Sequence, residues 1–187
     1  MGLRTVPQGD GGLRLELSNG ALWATISQDG QALLPATKGI VVDCKYAEYR
    51  TYTAISSPYI PLDDTIPQSN EGTQILTASI TPKSTTNKIR IRVDGPVSAA
   101  ASAYVSAAVF NNKSTDALGA ANVIISAANY RSMLGVVAEH VPGVIENLTY
   151  SVRIAASDTT AYVNGGTAAR FFGGVARWTL TLEEIAA

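Results

Sequence analysis

Two stretches late in the chain alternate so strictly that they leave little choice of fold. Leu148, Tyr150, Val152 and Ile154 alternate with Thr149, Ser151 and Arg153. Further on, Trp178, Leu180 and Leu182 alternate with Arg177, Thr179, Thr181 and Glu183. A period of two puts the apolar side chains on one face of a strand and the polar ones on the other. Both stretches therefore read as strands with one dry and one wet face. Between them Asn164-Gly165-Gly166 tolerates positive φ, which sets the expectation of a tight hairpin turn joining the two.

The same period recurs upstream. Gly39 to Ala54 reads as the first strand of the main domain, with Ile40, Val42, Cys44 and Tyr46 on one face and Asp43 and Lys45 turned away. Ser56 to Ser69, with Pro58, Pro61 and Pro67, reads as an ordered loop holding Asp63-Asp64 in a turn. Gln74 to Thr81 alternates again. Ile89, Ile91 and Val93 alternate with Arg90, Arg92 and Asp94, and Leu134 to Val141 gives a further strand. Within Thr115 to Ser132 the residue types allow a short helix, capped by Asp116 and running through Ala117, Leu118, Ala120 and Ala121, although Gly119 weakens it. About eight strands separated by turns predict an all-β, antiparallel β-sandwich of jelly-roll type.

Ala99 to Phe110 is unusual in being apolar or small on both faces. A strand buried on both sides needs a layer on each side, and a single sandwich supplies one. The expectation is that a neighbouring copy supplies the other, with Ala101, Ala103, Tyr104, Val105 and Ala107 at an oligomer interface.

Residues 1–38 differ from the rest. Gly9, Gly11, Gly12, Gly20 and Gly30, with Pro7 and Pro35, interrupt the segment too often for long elements. Leu13, Leu15 and Leu17 alternate with polar residues, and a second short run, Leu22 to Ser27, carries Trp23. With so few apolar side chains the segment reads as an N-terminal anchoring arm of short strands, gripping a partner through Leu13, Leu15 and Trp23. Residues 39–187 read as the main β-domain.

Composition narrows the function. The net charge is −1 and charged residues make up 16%, so nothing draws the chain to nucleic acid or to an anionic membrane. Low charge beside 46% hydrophobic residues suits a surface partly covered by another chain. The longest small-apolar run, Val97 to Phe110, falls short of the roughly 20 residues of a membrane helix. The chain opens Gly-Leu-Arg-Thr-Val-Pro after Met1, without a leader's apolar stretch, so synthesis in the cytoplasm is expected. A single cysteine, Cys44, rules out an intrachain disulfide, and a single histidine, His140, leaves little scope for histidine ligation of a metal. No cofactor is expected.

The candidate chemistry is sparse. His140 beside Glu139 has the residue types of a general base, but no spacing supports a nucleophile, and a polar strand end is the better reading. Asp63-Asp64 fits a turn better than a calcium site or an acid–base pair. Glu183-Glu184 reads as solvated or paired with a basic residue of a neighbour. Tyr49, Tyr52 and Tyr59, with Arg90 and Arg92, are the candidates for contact with an external surface or glycan, although packing at a wet edge is the better reading of the tyrosines and a solvated or salt-bridged face that of the arginines.

From Ile60 onward, about two thirds of the chain, the sequence resembles a jelly-roll domain of structural proteins from tailed bacteriophages and prophages. The resemblance lies in Pro61-Leu62-Asp63-Asp64-Thr65-Ile66-Pro67-Gln68, Glu71-Gly72-Thr73-Gln74, Ile80-Thr81-Pro82 and Thr86-Asn87-Lys88-Ile89. It continues through Ala108-Val109-Phe110, Tyr150-Ser151-Val152-Arg153, Asn164-Gly165, Arg170-Phe171-Phe172-Gly173-Gly174-Val175 and the closing Leu182 to Ala187. None of these is a catalytic signature. The resemblance implies a non-enzymatic virion protein: a trimeric tail fibre or spike knob that contacts other virion proteins and a host-surface glycan. A head-decorating fibre or cement protein is the alternative placement. A soluble carbohydrate-binding module is the alternative class, with a glycan-degrading enzyme behind it.

Overall fold

The structure is a computed structural model. It describes residues 3–7, 9, 13–17, 22–26, 32–33 and 38–187. The chain divides into two compact units, Met1–Ile40 and Val41–Ala187.

In the first unit, β1 (Leu3–Pro7), β2 (Leu13–Leu17), β3 (Leu22–Ile26) and β4 (Ala32–Leu33) form an antiparallel meander in chain order. Each strand pairs with its successor, Leu3 opposite Leu17 and Leu13 opposite Ile26. The expected strands at Leu13 and Leu22 are present, and β1 and β4 add to them. Leu13 is exposed. Leu15 and Trp23 fall within β2 and β3, but their side chains lie outside the described residues.

The second unit contains β5 (Val41–Tyr49), β6 (Thr53–Ile55), β7 (Thr73–Ile80), β8 (Lys88–Ala99), β9 (Ala103–Asn111) and β10 (Gly119–Ile125). These are followed by β11 (Arg131–His140), β12 (Leu148–Ala156), β13 (Ala161–Val163) and β14 (Trp178–Ile185). One sheet runs β5-β14-β8-β11, with β13 and then β6 added beside the end of β8. The other runs β7-β12-β9-β10. Among the long strands β5 pairs with β14, β7 with β12, β8 with β11 and β9 with β10, all antiparallel. The chain therefore goes out along four strands and returns along the next four, and this ribbon rolls into two facing sheets. That order is the jelly roll.

The sequence alternation explains which faces meet. Ile89, Ile91 and Val93 of β8, Leu180 and Leu182 of β14, and Leu134 and Val136 of β11 are buried against Val105 and Ala107 of β9 and Tyr150, Val152 and Ile154 of β12. Each fully buried aliphatic of this size contributes about 1.5–3 kcal/mol relative to exposure.

Four sequence expectations need correction. Residues 119–125 form strand β10 and not a helix. Ala121, Val123 and Ile125 turn toward the core, and the register Val123↔Val105 supplies a partner that outweighs the helix propensity of a few alanines. On β5, Ala47 and Tyr49 pack on the core while Cys44 and Tyr46 face outward. Register decides this, since Ala47 lies opposite the buried Leu180 and Tyr46 opposite Thr181. Asn164-Gly165-Gly166 does not join a hairpin, because β12 and β14 belong to different sheets with β13 between them in sequence. Asn164 does take positive φ, 61°.

The fourth correction concerns β9. It is buried on both faces, and both layers come from its own chain. Ala103, Val105 and Ala107 are in the core of the sandwich, at most 7% exposed. On the opposite face Ala108 and Phe110 lie under Ile60, Ala117 and Ala155. The proline-rich segment 56–72 thus takes the place expected of a neighbouring copy. Ala103, Val105 and Ala107 are not available to another molecule; of the expected interface only Ala101 and Tyr104 are exposed.

Candidate functional site

At one end of the sandwich the connections 50–72, 100–102, 126–130 and 157–177 come together, because each follows a strand that runs toward that end or precedes one that leaves it. They are tied to one another by hydrogen bonds. The Ala100 N–H donates to Thr160 O (2.9 Å) and the Asn129 N–H to Ala99 O (2.9 Å). Asn129, at φ 60°, turns its Oδ1 to accept from the Thr167 N–H (2.7 Å) and hydroxyl (2.9 Å). The Tyr52 hydroxyl donates to Gly166 O (2.8 Å), and the buried Ser98 hydroxyl to Gly165 O (2.7 Å). Asn164, itself buried, donates through Nδ2 to Tyr49 O (2.8 Å) and Thr51 O (3.1 Å). Such a network fixes loop positions that backbone pairing does not reach.

On this frame sits a cluster of aromatic and cationic side chains. The Arg131 guanidinium lies over the Phe171 ring, 4.0 Å from its centroid, in cation–π geometry. Phe171 and Phe172 meet edge-on at 6.4 Å. Phe172 is 78% exposed and Tyr130 62%, so two large aromatic surfaces face water. Phe172 adopts φ 49°, in a tight turn closed by the Gly174 N–H on Phe171 O (3.0 Å) and the Val175 N–H on Phe172 O (3.2 Å). A bulky residue in the left-handed region costs on the order of 1–2 kcal/mol, so the fold maintains this projection against a local penalty. Arg131, Arg170 and Phe171 line a shallow recess of ≈ 280 Å³ whose walls carry no carboxylate. At the end of β5, Glu48 accepts from Arg50, with Arg177 Nε 3.6 Å away, and the Arg50 hydrogen bond holds the Glu48 carboxyl below its usual value. The recess itself is thus lined by cationic and aromatic side chains.

The structure disperses the residues expected to bind a surface. Tyr52 supports the loops, stacked on Tyr162 at 6.3 Å. Tyr49 packs on the core, its hydroxyl 2.5 Å from Thr53 Oγ1. Tyr59 is exposed, in the 56–72 segment. Arg90 and Arg92 project from the outer face of β8, where Arg90 pairs with Glu183 (2.8 Å) and Arg92 lies between Thr181 and Val137. These five do not form one site. Tyr130, Arg131, Arg170, Phe171 and Phe172 were not singled out for binding by sequence; the one hint was Phe171-Phe172 running into Gly173-Gly174, an apolar pair at a turn.

The other candidates have local roles. Asp63 Oδ1 accepts from the Thr65 N–H (2.9 Å), forming the expected turn. His140 bonds through Nδ1 to the Tyr150 hydroxyl (2.8 Å), with Asn111 Nδ2 at 3.4 Å from Nε2. Because Asn111 Oδ1 accepts from the Lys113 N–H, its amide presents a donor to Nε2, which places the neutral ring's proton on Nδ1. Glu184 is fully buried, contrary to the solvated reading.

An antiparallel jelly roll presenting an aromatic–arginine loop end is the class these features define. No family model matches this chain, and no curated protein matches it. Among solved structures it is similar to the EclA C-terminal domain, a sugar-binding protein, with TM-score 0.33 and 12% identity over 74% of this chain and 84% of that one. It is also similar to a structure of infectious bursal disease virus Gx strain, with TM-score 0.41 and 10% identity over 96% of this chain and 47% of that one. A third similarity is to the enzymatically active domain of bacteriophage CBA120 tailspike protein 4, with TM-score 0.28 and 10% identity over 67% and 19% of the two chains. No residue role passes from these proteins to this chain.

Proposed function

We propose that this chain is a non-enzymatic structural protein of a bacteriophage virion, a tail-fibre or spike knob carried on the arm of residues 1–38. The observation that carries the recognition role is the loop end. There Phe172 and Tyr130 are held exposed on cross-tied loops beside Arg131 and Arg170. Exposed aromatics and arginines on a rigid frame are the side chains that dominate binding energy at recognition surfaces. The virion setting rests on the sequence resemblance described above. So does assembly as a homotrimer, since β9 finds both its layers within one chain and gives no separate reason for it.

The test uses the full chain, fluorescently labelled, against a panel of bacterial strains. We expect saturable binding to a susceptible strain, and Phe172→Ala and Tyr130→Ala each to weaken it at least tenfold with the fold intact by circular dichroism. Unchanged binding by both variants would remove the loop end from the reading. Gold-labelled antibody on intact particles separates tail from capsid placement, and sedimentation equilibrium reads the trimer directly.

A further inference from the structure

A second concave surface lies on the outer face of β7-β12-β9. Its floor is a polar ladder set by register, Gln74 beside Arg153 and Thr77 beside Ser151, with Thr149 next along β12. One wall is the 112–115 turn and the other begins at Ser69. The walls are joined by the Ser69 N–H on Thr115 O (2.8 Å), the Ala117 N–H on Pro67 O (3.0 Å) and Gln68 Nε2 on Asp116 Oδ1 (3.0 Å). The groove is open to solvent and measures ≈ 530 Å³, within the range of small-ligand sites.

The chemistry of the groove is specific. Arg153 is half-buried and commits one donor, Nη1, to Gly72 O (2.8 Å), leaving the rest of its fork toward the groove. Gln74, Thr77 and Ser151 make no side-chain hydrogen bond among the described residues, so their donors and acceptors are open to a ligand. No carboxylate lines the groove. The other cation there, Lys113, is paired with Glu146 at 3.0 Å. A polynucleotide needs a track of cations along its phosphates, which one unpaired guanidinium does not provide. A ligand with many hydroxyls and one carboxylate matches the lining: the carboxylate meets Arg153 in a charge-assisted pair, and the ring hydroxyls meet Thr77, Ser151 and Gln74.

From this we infer that the groove over β7-β12-β9 binds an acidic saccharide, one whose sugar ring carries a carboxylate, with Arg153 as its charge partner. This site is separate from the loop end. Phe110 lines it but is 1% exposed, so there is no ring platform and selectivity comes from hydrogen bonds and charge.

The experiment titrates the full chain with trigalacturonate and with sialyllactose, each against its neutral counterpart, galactotriose and lactose, by calorimetry and amide chemical-shift mapping. An acidic ligand should bind at least tenfold more tightly than its neutral partner and shift the Thr77, Thr149 and Ser151 amides. Arg153→Gln should erase that preference. Because Arg153 also holds Gly72, Thr77→Val serves as a second variant that leaves this contact in place, and it should weaken binding severalfold. Phe172→Ala should bind the saccharide as the parent does, so that failure here is distinguishable from failure of the loop end. Equal binding of acidic and neutral sugars, binding by neither, or shifts confined to residues outside the groove would each overturn the proposal.

Discussion

Trp178 lies so close to Gly95 that a Cβ added to the glycine would sit 2.3 Å from the indole Cγ. The ring is fully buried, and its Nε1–H donates to Pro96 O at 3.0 Å. Position 95 is a glycine inside strand β8 because the indole occupies the space a side chain would need. Gly95→Ala should destabilise the knob by about 3 kcal/mol, the upper part of the range for overpacking a dense core. Urea unfolding followed by tryptophan fluorescence measures it, and a loss below 1 kcal/mol would contradict the contact.

Asn87 and Glu184 form the counterpart at the opposite end. Glu184 Oε1 accepts from Asn87 Nδ2 (2.6 Å) and from the Lys83 N–H (2.6 Å), joining the turn before β8 to the last strand. Glu184→Ala leaves both donors without their acceptor and should cost about 2–4 kcal/mol. Glu183→Ala, whose partly buried pair with Arg90 remains within reach of water, should cost about 1 kcal/mol or less. A reversal of that order in thermal melts would refute the assignment.

His140 gives the knob a pH dependence. Burial lowers its pKa below the ordinary 6.5, so the unfolded chain binds a proton that the folded chain resists. The unfolded state then holds more protons, and stability falls as pH drops below about 6.5 until the folded ring is also protonated. Asp43 and Asp63 act separately. Their carboxyls are lowered, by the Lys45 and Thr65 hydrogen bonds respectively, and their contribution is lost only in more acid solution. Unfolding midpoints should decline between pH 7 and 5, and His140→Gln should flatten that decline. An unaltered slope in the variant would exclude the histidine as its source.

Phe172 couples stability to recognition. Phe172→Gly removes the side chain from a φ of 49° and should leave stability equal or raise it by up to about 1 kcal/mol, while cell attachment is lost. Denaturation and cell binding are to be measured on the same preparation; a marked destabilisation would mean that the ring supports the fold.

Ala107 distinguishes a core from an interface. At 0% exposed, it should respond to Ala107→Leu with a loss of about 1–3 kcal/mol that is independent of protein concentration. A midpoint that rises with concentration in the parent, and ceases to do so in the variant, would restore the position to a subunit contact.

Much of the architecture was legible in the alternation of residues such as Ile89-Arg90-Ile91-Arg92-Val93, because a period of two with one dry face admits only a sheet. What misled were positions whose apolar character has two possible customers. The small residues of β9 satisfy a core on one side and Ile60 on the other, and nothing local says whether the second cover comes from the same chain. Cys44 and Tyr46 look apolar, yet the register against β14 turns them outward. Neither proposed surface was readable, because each is assembled across sequence. Asn129 meets Thr167, and Arg153 lies beside Gln74, only once the ribbon has rolled up.

The pairing of Val41 with Ile185 has a mechanical corollary. The polypeptide enters the sandwich beside its own last strand, and β14, eight residues long, separates that point from the loop end by about 25 Å. That pairing and the loops around Phe172 therefore occupy opposite ends of the sandwich. Residues around Phe172 can diversify without altering the pairing that closes the opposite end.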